Sequence, residues 1–485
     1  MRYSAEGEAI AVRLCAGFEM GPQGEAPGRV APACVRLPAP DGRYSVRVRL
    51  SAAQDAPEAM LFASHRRLLW RGSLAAGETV EVSAPCAVHP HLPEGTDEPV
   101  PGKGIELALV APGARIEAVE AEPVAAPALL LMGDSTVTDQ PAVSPYAPGA
   151  TYAGWGQMLP AHLCGDACVI NFARSGMTVE TFRTEGLYEL LVSQVRPGDV
   201  VAMQFGHNDQ KRPHLTADGG YARAIRTYIA ELRALGARPV LVTPLARNSW
   251  WNAGEYCDLL RSFARASRRV AREADVPLID LHGFMIALLE KTGRDAAKAL
   301  FHTGDYTHTN DFGAFAAAAF VAGELDKLGI AKARACESWP PRAPYDALTA
   351  NRIDEALPPT GLDMLYTGFE TVRPDAPLTR IEALSLTCRA AGLFSTNERV
   401  PMPGDVPLAE SWTDDVQCAL QHRLIPADML ADGKLHPYRA ISMEDFMRIL
   451  SKGYGMRCPT QGLPKAGAGA VTRAQAAAIC RRAKI

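Results

Sequence analysis

The amino-acid sequence predicts an α/β fold: a three-layer domain on a parallel sheet, preceded by a β-sandwich and followed by a mostly helical domain. Three observations lead there. Between residues 126 and 335, short continuous apolar runs alternate with amphipathic helical stretches, the pattern of a parallel sheet covered on both faces. Residues 1–125 carry period-two runs separated by Gly and Pro clusters, and residues 336–485 carry Ala-rich helical repeats. The chain has 485 residues, more than one ordinary domain needs.

In the first region, "YSVRVRLSA" from Tyr44, "ETVEVSA" from Glu78 and "GIELALVAP" from Gly104 alternate apolar and polar residues. Each such strand buries one face, so two sheets must close on each other. In the second region, "ALLLM" from Ala128, "ACVINFA" from Ala167, "DVVAMQFG" from Asp199, "RPVLVTPLA" from Arg238 and "VPLIDLH" from Val276 read as buried strands. Helices are predicted in "YARAIRTYIAELRALG" from Tyr221 and "YCDLLRSFARASRRVAREAD" from Tyr256. The Pro-rich "ESWPPRAPYDA" from Glu337 is a linker. Beyond it, "LTRIEALSLTCRAAGL" from Leu378 and "VTRAQAAAICRRA" from Val471 repeat one pattern, with Thr379 and Thr472 as N-caps. "AISMEDFMRIL" from Ala440 is a diverged copy with Ser442 in the cap position.

Hydrophobic residues make up 47% of the chain and charged residues 21%, which fits well-cored domains. A net charge of -4 gives no electrostatic case for nucleic acid or an anionic membrane. The opening "MRYSAEGEAIAVRL" lacks the apolar core of a secretory leader, and no apolar run reaches membrane-spanning length. The expectation is a cytoplasmic protein, or an extracellular or cell-surface one if a leader has been removed. The 11 cysteines form no C-x-x-C pair, and the neighbouring Cys164 and Cys168 read as reduced thiols.

Parallel sheets gather their chemistry at the carboxyl ends of the strands. Four features fall there: Gly133-Asp134-Ser135, Gly176 in "NFARSGM", Asn208 in "QFGHND", and Asp305 with His308 in "GDYTHTNDFGAF". Taken singly, such residues are more often turn, cap or core residues. Taken together, they supply a hydroxyl nucleophile, a base in His308, and a carboxylate in Asp305 that fixes the imidazole tautomer. The backbone N–H groups of Ser135 and Gly176 and the side-chain amide of Asn208 can serve as oxyanion donors. No G-x-S-x-G elbow, Walker A loop or H-E-x-x-H motif occurs.

The words "GDSTVTDQ", "YAGWGQMLP", "QFGHNDQK", "VLVTPLAR", "VPLIDLH" and "DYTHTNDFGA" resemble the SGNH hydrolase superfamily, and within it the rhamnogalacturonan acetylesterase group. The resemblance implies a flavodoxin-like three-layer fold over residues 126–335 and a galactose-binding-like sandwich over 1–125. It implies a triad of Ser135, Asp305 and His308 with an oxyanion hole from Ser135, Gly176 and Asn208. The implied reaction is O-deacetylation of plant polysaccharide, of rhamnogalacturonan, pectin or xylan type, or its oligosaccharides, through an acetyl-serine and with no metal or cofactor. Thr136 stands where the lipase-like branch has Leu, which points to carbohydrate esters. "MTVETF" after Gly176 departs from the more polar segment expected of the group. His207, Trp250 and Trp251 are the candidate substrate contacts, the tryptophans as stacking walls. Two rivals stand beside this reading: a carbohydrate-binding or wall-attached protein with an inactive hydrolase domain, and a lipid or thioester hydrolase of the same fold. Residues 336–485 resemble S-layer homology modules, which implies contact with cell-wall polysaccharide; packing or a homodimer contact is the alternative.

Overall fold

The computed structural model describes residues 3–5, 8–10, 17–20, 29–165, 168–250, 256–303, 305–341, 374–391, 393, 400–406, 413–455 and 469–483. They fall into two units. One holds the described residues up to 341; the other holds those from 374 onward with 211–213, 249, 250 and 256–259.

The first unit opens with strands β1 (Tyr3–Ala5), β2 (Glu8–Ile10), β3 (Phe18–Met20), β4 (Ala33–Leu37), β5 (Gly42–Ala52), β6 (Ala56–Ala63), β7 (Arg67–Leu74), β8 (Thr79–Val88), β9 (Ile105–Val110) and β10 (Ala114–Pro123). They form two sheets, ordered β1-β10-β5-β8 and β2-β4-β9-β6-β7, with every pairing in them antiparallel. Val46, Val48 and Leu50 of β5 share one core with Leu61 of β6 and Leu107 and Leu109 of β9. The arginines between them, Arg47 and Arg49, point to water, as period-two alternation requires.

The chain then enters β11 (Leu129–Gly133), followed by β12 (Ala142–Ser144), β13 (Val169–Asn171), β14 (Val200–Gln204), β15 (Arg238–Val242) and β16 (Leu278–Ile279). Five of these make a wholly parallel sheet in the order β13-β11-β14-β15-β16. Short β12 pairs with β3 instead. Helices α1 (Trp155–Met158), α2 (Thr181–Thr184), α3 (Leu187–Gln194), α4 (Ala222–Ala234), α5 (Arg261–Glu273), α6 (Leu281–Thr292) and α7 (Asp311–Lys327) connect and cover it. Leu130, Met132, Val201 and Met203 meet Leu191 of α3, Ile225 and Tyr228 of α4 and Phe263 of α5 in one core. Strand order reverses at β11: the chain leaves it for β13 on one side and later returns to β14 on the other. Such a switch opens a crevice at the carboxyl ends of the strands, and Ser135 lies two residues past the end of β11.

Three arginines tie the antiparallel sheets to this α/β layer. Arg43 grips Asp199 at 2.7 and 2.6 Å, Arg66 meets Asp311 at 2.5 Å, and Arg67 meets Asp139 at 2.7 Å. Cys164 and Cys168 carry free thiols.

In the second unit, helices span Arg380–Ala390, Thr413–Gln421, Met443–Tyr454 and Arg473–Ala483. Thr379, Ser442 and Thr472 each accept a hydrogen bond from the backbone N–H three residues on, so the diverged copy keeps its N-cap. The three cap segments are also laced in a ring. Leu378 N donates to Val471 O, Val471 N to Ile441 O, and Ile441 N to Leu378 O, at 2.8, 3.2 and 2.9 Å. Among the described residues no helix is long and apolar enough to cross a membrane.

Candidate active site

β11 is apolar and fully buried along its length, and it ends in a turn set by its own side chains. Asp134 Oδ1 accepts from Thr136 N at 3.0 Å and from Thr136 Oγ1 at 2.8 Å, an Asx-type closure. The Thr136 hydroxyl in turn accepts from Gln204 Nε2, and Gln204 Oε1 accepts from the buried indole of Trp155 at 2.9 Å. Trp155 is therefore a packing and hydrogen-bonding residue behind the turn. Ser135 stands on that turn, 8% exposed.

His308 and Asp305 come from the loop ahead of α7. Ser135 Oγ lies 2.8 Å from His308 Nε2, and His308 Nδ1 lies 2.6 Å from Asp305 Oδ2. The other carboxylate oxygen, Oδ1, accepts from the N–H groups of Thr307 and His308 at 2.6 and 3.0 Å. Burial pushes the Asp305 carboxyl up, but the charge of His308, its hydrogen bond and the two backbone donors more than reverse this and hold it at about 2. An ionised carboxylate only accepts, so Nδ1 must donate to it. The lone pair of Nε2 then faces the Ser135 hydroxyl, the tautomer a general base needs.

Gly176 and Asn208 are brought to the same region by their own links. Arg174 N donates to Gly133 O at 3.2 Å and Met177 N to Arg174 O at 3.4 Å, so the Gly176 turn hangs from the end of β11. Gly176 has φ +83 and open space where a Cβ would be, a backbone setting that favours glycine. Asn208 Nδ2 donates to Met177 O at 3.1 Å, which couples its loop to the same turn. Next to it, buried Asp209 accepts from Val179 N and Gly206 N, both at 2.9 Å. Burial and the charge of Asp134 lift its carboxyl to about 7, against those donors.

Of the three expected substrate contacts, His207 turns out differently. His207 is 2% exposed, with Nε2 at 2.8 Å from Leu245 O and Nδ1 at 3.2 Å from Asp134 Oδ2. The carbonyl compels Nε2 to donate, so a single proton lies between Nδ1 and the carboxylate. This side chain braces the Ser135 turn and presents no polar atom to a sugar. Its burial follows from Asp134, a partner 73 residues away in sequence. Trp250 belongs to the second unit, where its ring packs edge-on to Tyr256 at 5.5 Å. Trp251 lies outside the described residues. Among the described residues, Tyr152 sets an aromatic ring beside the base, 38% exposed. It stacks on His302 at 3.8 Å and meets His308 edge-on at 5.6 Å. Only the "YAGWGQ" context marks Tyr152 in the sequence.

Comparison with known proteins places the same stretch in context. The profile of the GDSL-like Lipase/Acylhydrolase family matches residues 131–314. Probable rhamnogalacturonan acetylesterase YesY of Bacillus subtilis is 32% identical over 214 residues, 42% of this chain and 94% of that protein. Rhamnogalacturonan acetylesterase RhgT of the same organism is 32% identical over 215 residues, 42% of this chain and 90% of its own. The crystal structure of protein YxiM from Bacillus subtilis matches 62% of this chain and 81% of its own, at 25% identity and a TM-score of 0.40.

Proposed function

Since the chain belongs to the GDSL-like lipase/acylhydrolase family and is a serine ester hydrolase, we propose that it removes O-acetyl groups from plant polysaccharide of the rhamnogalacturonan, pectin or xylan type, or from derived oligosaccharides. The observation that supports this most is the hydrogen-bonded series Ser135–His308–Asp305 in a stretch similar to rhamnogalacturonan acetylesterases.

In this reading Ser135 Oγ attacks the acetyl carbonyl carbon and its proton passes to His308 Nε2. The carbonyl π electrons move onto oxygen, and the oxyanion is met by the N–H groups of Ser135 and Gly176 and by the Asn208 amide. Such a donor is worth about 3 kcal/mol in the transition state. Collapse of the adduct breaks the ester C–O bond, and His308 returns the proton to the departing sugar oxygen. Water then attacks acetyl-Ser135 with His308 again as base, and acetate leaves as the serine proton is restored. Asp305 stays ionised throughout and stabilises the imidazolium. The exposed Tyr152 ring, rather than His207, supports a wall for the acyl group or sugar beside the base.

The test is acetate release from acetylated rhamnogalacturonan and xylan fragments by the full chain and by Ser135→Ala. The wild type should turn over and the variant should not. Turnover retained in Ser135→Ala would remove the nucleophile assignment. A preference for long acyl chains over acetyl would favour a lipid hydrolase. Polysaccharide binding without turnover would favour a binding protein. The ring of three capped segments supports reading the C-terminal repeats as an S-layer-homology-like module, checked by co-sedimentation of the protein with purified cell-wall polysaccharide.

A further inference from the structure

Arg66 is contributed by the antiparallel sheets, in the short turn Ser64–Arg66 between β6 and β7. Both His65 and Arg66 adopt left-handed backbone, with φ 62 and 58. Two successive side-chain-bearing residues in that region are strained, and such strain persists only where the surroundings over-determine it. Here the surroundings are the guanidinium's partners. The side chain is fully buried, and each of its five N–H groups has an acceptor. Nη1 reaches Asp311 Oδ1 at 2.5 Å and Tyr146 Oη at 3.4 Å. Nη2 reaches Tyr152 O at 2.6 Å and Gln157 Oε1 at 3.1 Å. Nε reaches Gln140 O at 3.1 Å.

Those acceptors lie on both halves of the candidate site. On the nucleophile side, Gln140 uses its Nε2 to donate to Ser135 O at 3.1 Å. On the base side, Asp311 opens α7 three residues after His308. Tyr152 joins the two halves. Ala153 N donates to Thr309 O at 3.0 Å and Trp155 N to Thr136 O at 2.9 Å, while the Tyr152 ring abuts His308. One guanidinium thus fixes the carriers of both reacting groups, and its planar five-donor shape cannot be copied by a lysine.

We propose that Arg66 is a positioning residue for the hydrolytic reaction, through which the N-terminal sheets set the placement of Ser135 relative to His308. This rests on the esterase reading above. A buried arginine could equally be plain structural cement, and the chain supplies its own control. Arg43 makes the same kind of buried ion pair with Asp199, whose carboxylate also accepts from Ala128 N. That pair sits at the amino ends of β11 and β14, away from the end that carries Ser135.

The experiment compares Arg66→Lys and Arg43→Lys in the full chain, by thermal melting and by kcat and KM for acetate release. Both variants should melt earlier than the wild type. Arg66→Lys should lose tenfold or more in kcat with KM within twofold, because misplaced reacting groups slow chemistry rather than binding. Arg43→Lys should keep its kcat. An equal kcat in Arg66→Lys, or an equal loss in Arg43→Lys, overturns the inference and leaves the esterase reading standing. A wild type no faster than Ser135→Ala overturns both. If Arg66→Lys does not fold, Gln140→Met decides. It severs the side-chain links to Ser135 O and to Ser175 Oγ, at 3.1 and 3.3 Å, and Ser175→Ala, which removes the second alone, is its control. The kcat should fall several-fold in Gln140→Met and not in Ser175→Ala, with the melt nearly unchanged; an unchanged kcat in Gln140→Met or an equal fall in Ser175→Ala overturns the inference.

Discussion

Asp305→Asn replaces one oxygen by an NH2 group beside His308, and its effect can be worked out from the contacts. Asp305 Oδ1 serves two backbone donors, so the asparagine carbonyl must stay there; an NH2 in that place would face N–H groups. The amide NH2 is then turned to His308 Nδ1. Nδ1 has to accept, the ring proton moves to Nε2, and Nε2 no longer offers a lone pair to Ser135. The electrostatic part follows from the carboxyl being held at about 2 against an ordinary value of 3.8. At about 1.4 kcal/mol per pKa unit, that net shift favours the ionised form by about 2 kcal/mol, part of it owed to the two backbone donors that the asparagine carbonyl keeps; the full charge facing the imidazolium is what the amide removes. The inverted tautomer adds to that loss, and the corresponding change in a serine protease costs about 10^4 in kcat. We expect Asp305→Asn to lower kcat for acetate release by about 10^3 to 10^4 with KM little changed. A loss below about 30-fold would refute the argument, because it would mean that the carboxylate fixes neither tautomer nor charge.

Stability should vary with pH in two opposing ways. Asp305 is lowered on folding, so its contribution is present above about pH 4 and disappears as pH falls towards about 2. Asp209 is raised to about 7, so its contribution is full below about pH 4 and is lost as pH rises through about 7. Histidines buried in the neutral form, such as His65 and His162, add stability as pH rises towards 6.5, so the Asp209 effect is read as a difference. In urea unfolding Asp209→Asn should gain stability relative to the wild type as pH rises from about 5 to about 7, and a difference that does not change with pH would contradict the assignment. Gly176→Ala meets open space but keeps a left-handed φ, so it should cost about 1–2 kcal/mol of stability and lower kcat, both read from melts and kinetics. Gly154→Ala should fail to fold by circular dichroism, since its Cβ would lie 2.4 Å from Thr138 O and 2.5 Å from Val137 C.

What could be read from the sequence was what local chemistry encodes. Apolar runs of the right length located the five parallel strands, and strand ends pointed to Ser135, Asp305 and His308. Ser442 was readable as a cap despite its diverged neighbours because capping spans three residues. The unread parts depend on partners far along the chain. "SHRRLLW" looks like a strand interrupted by charge, and nothing in it announces that Arg66 ends against Asp311, 245 residues on. His207 sits in a conspicuous motif, yet its role is decided by Asp134 and Leu245. The short strands β1 to β3 have too few residues to show a period.

The arginine pairs across the first unit also bear on where the polypeptide can be cut. A fragment begun at residue 126 would keep Ser135, Gly176, Asn208, Asp305 and His308, and would match the full span of its family profile. It would lose the counter-ions of Asp139, Asp199 and Asp311 at once, and these carboxylates are 10%, 1% and 0% exposed in the intact protein. A charge left buried without its partner costs about 3–5 kcal/mol; here the cut also removes the sheets that cover these carboxylates, so water replaces part of what the arginines supplied and the cost is smaller. We expect such a fragment to melt earlier than the full chain, because it must hold those three carboxylates in place with water where the intact protein uses arginine.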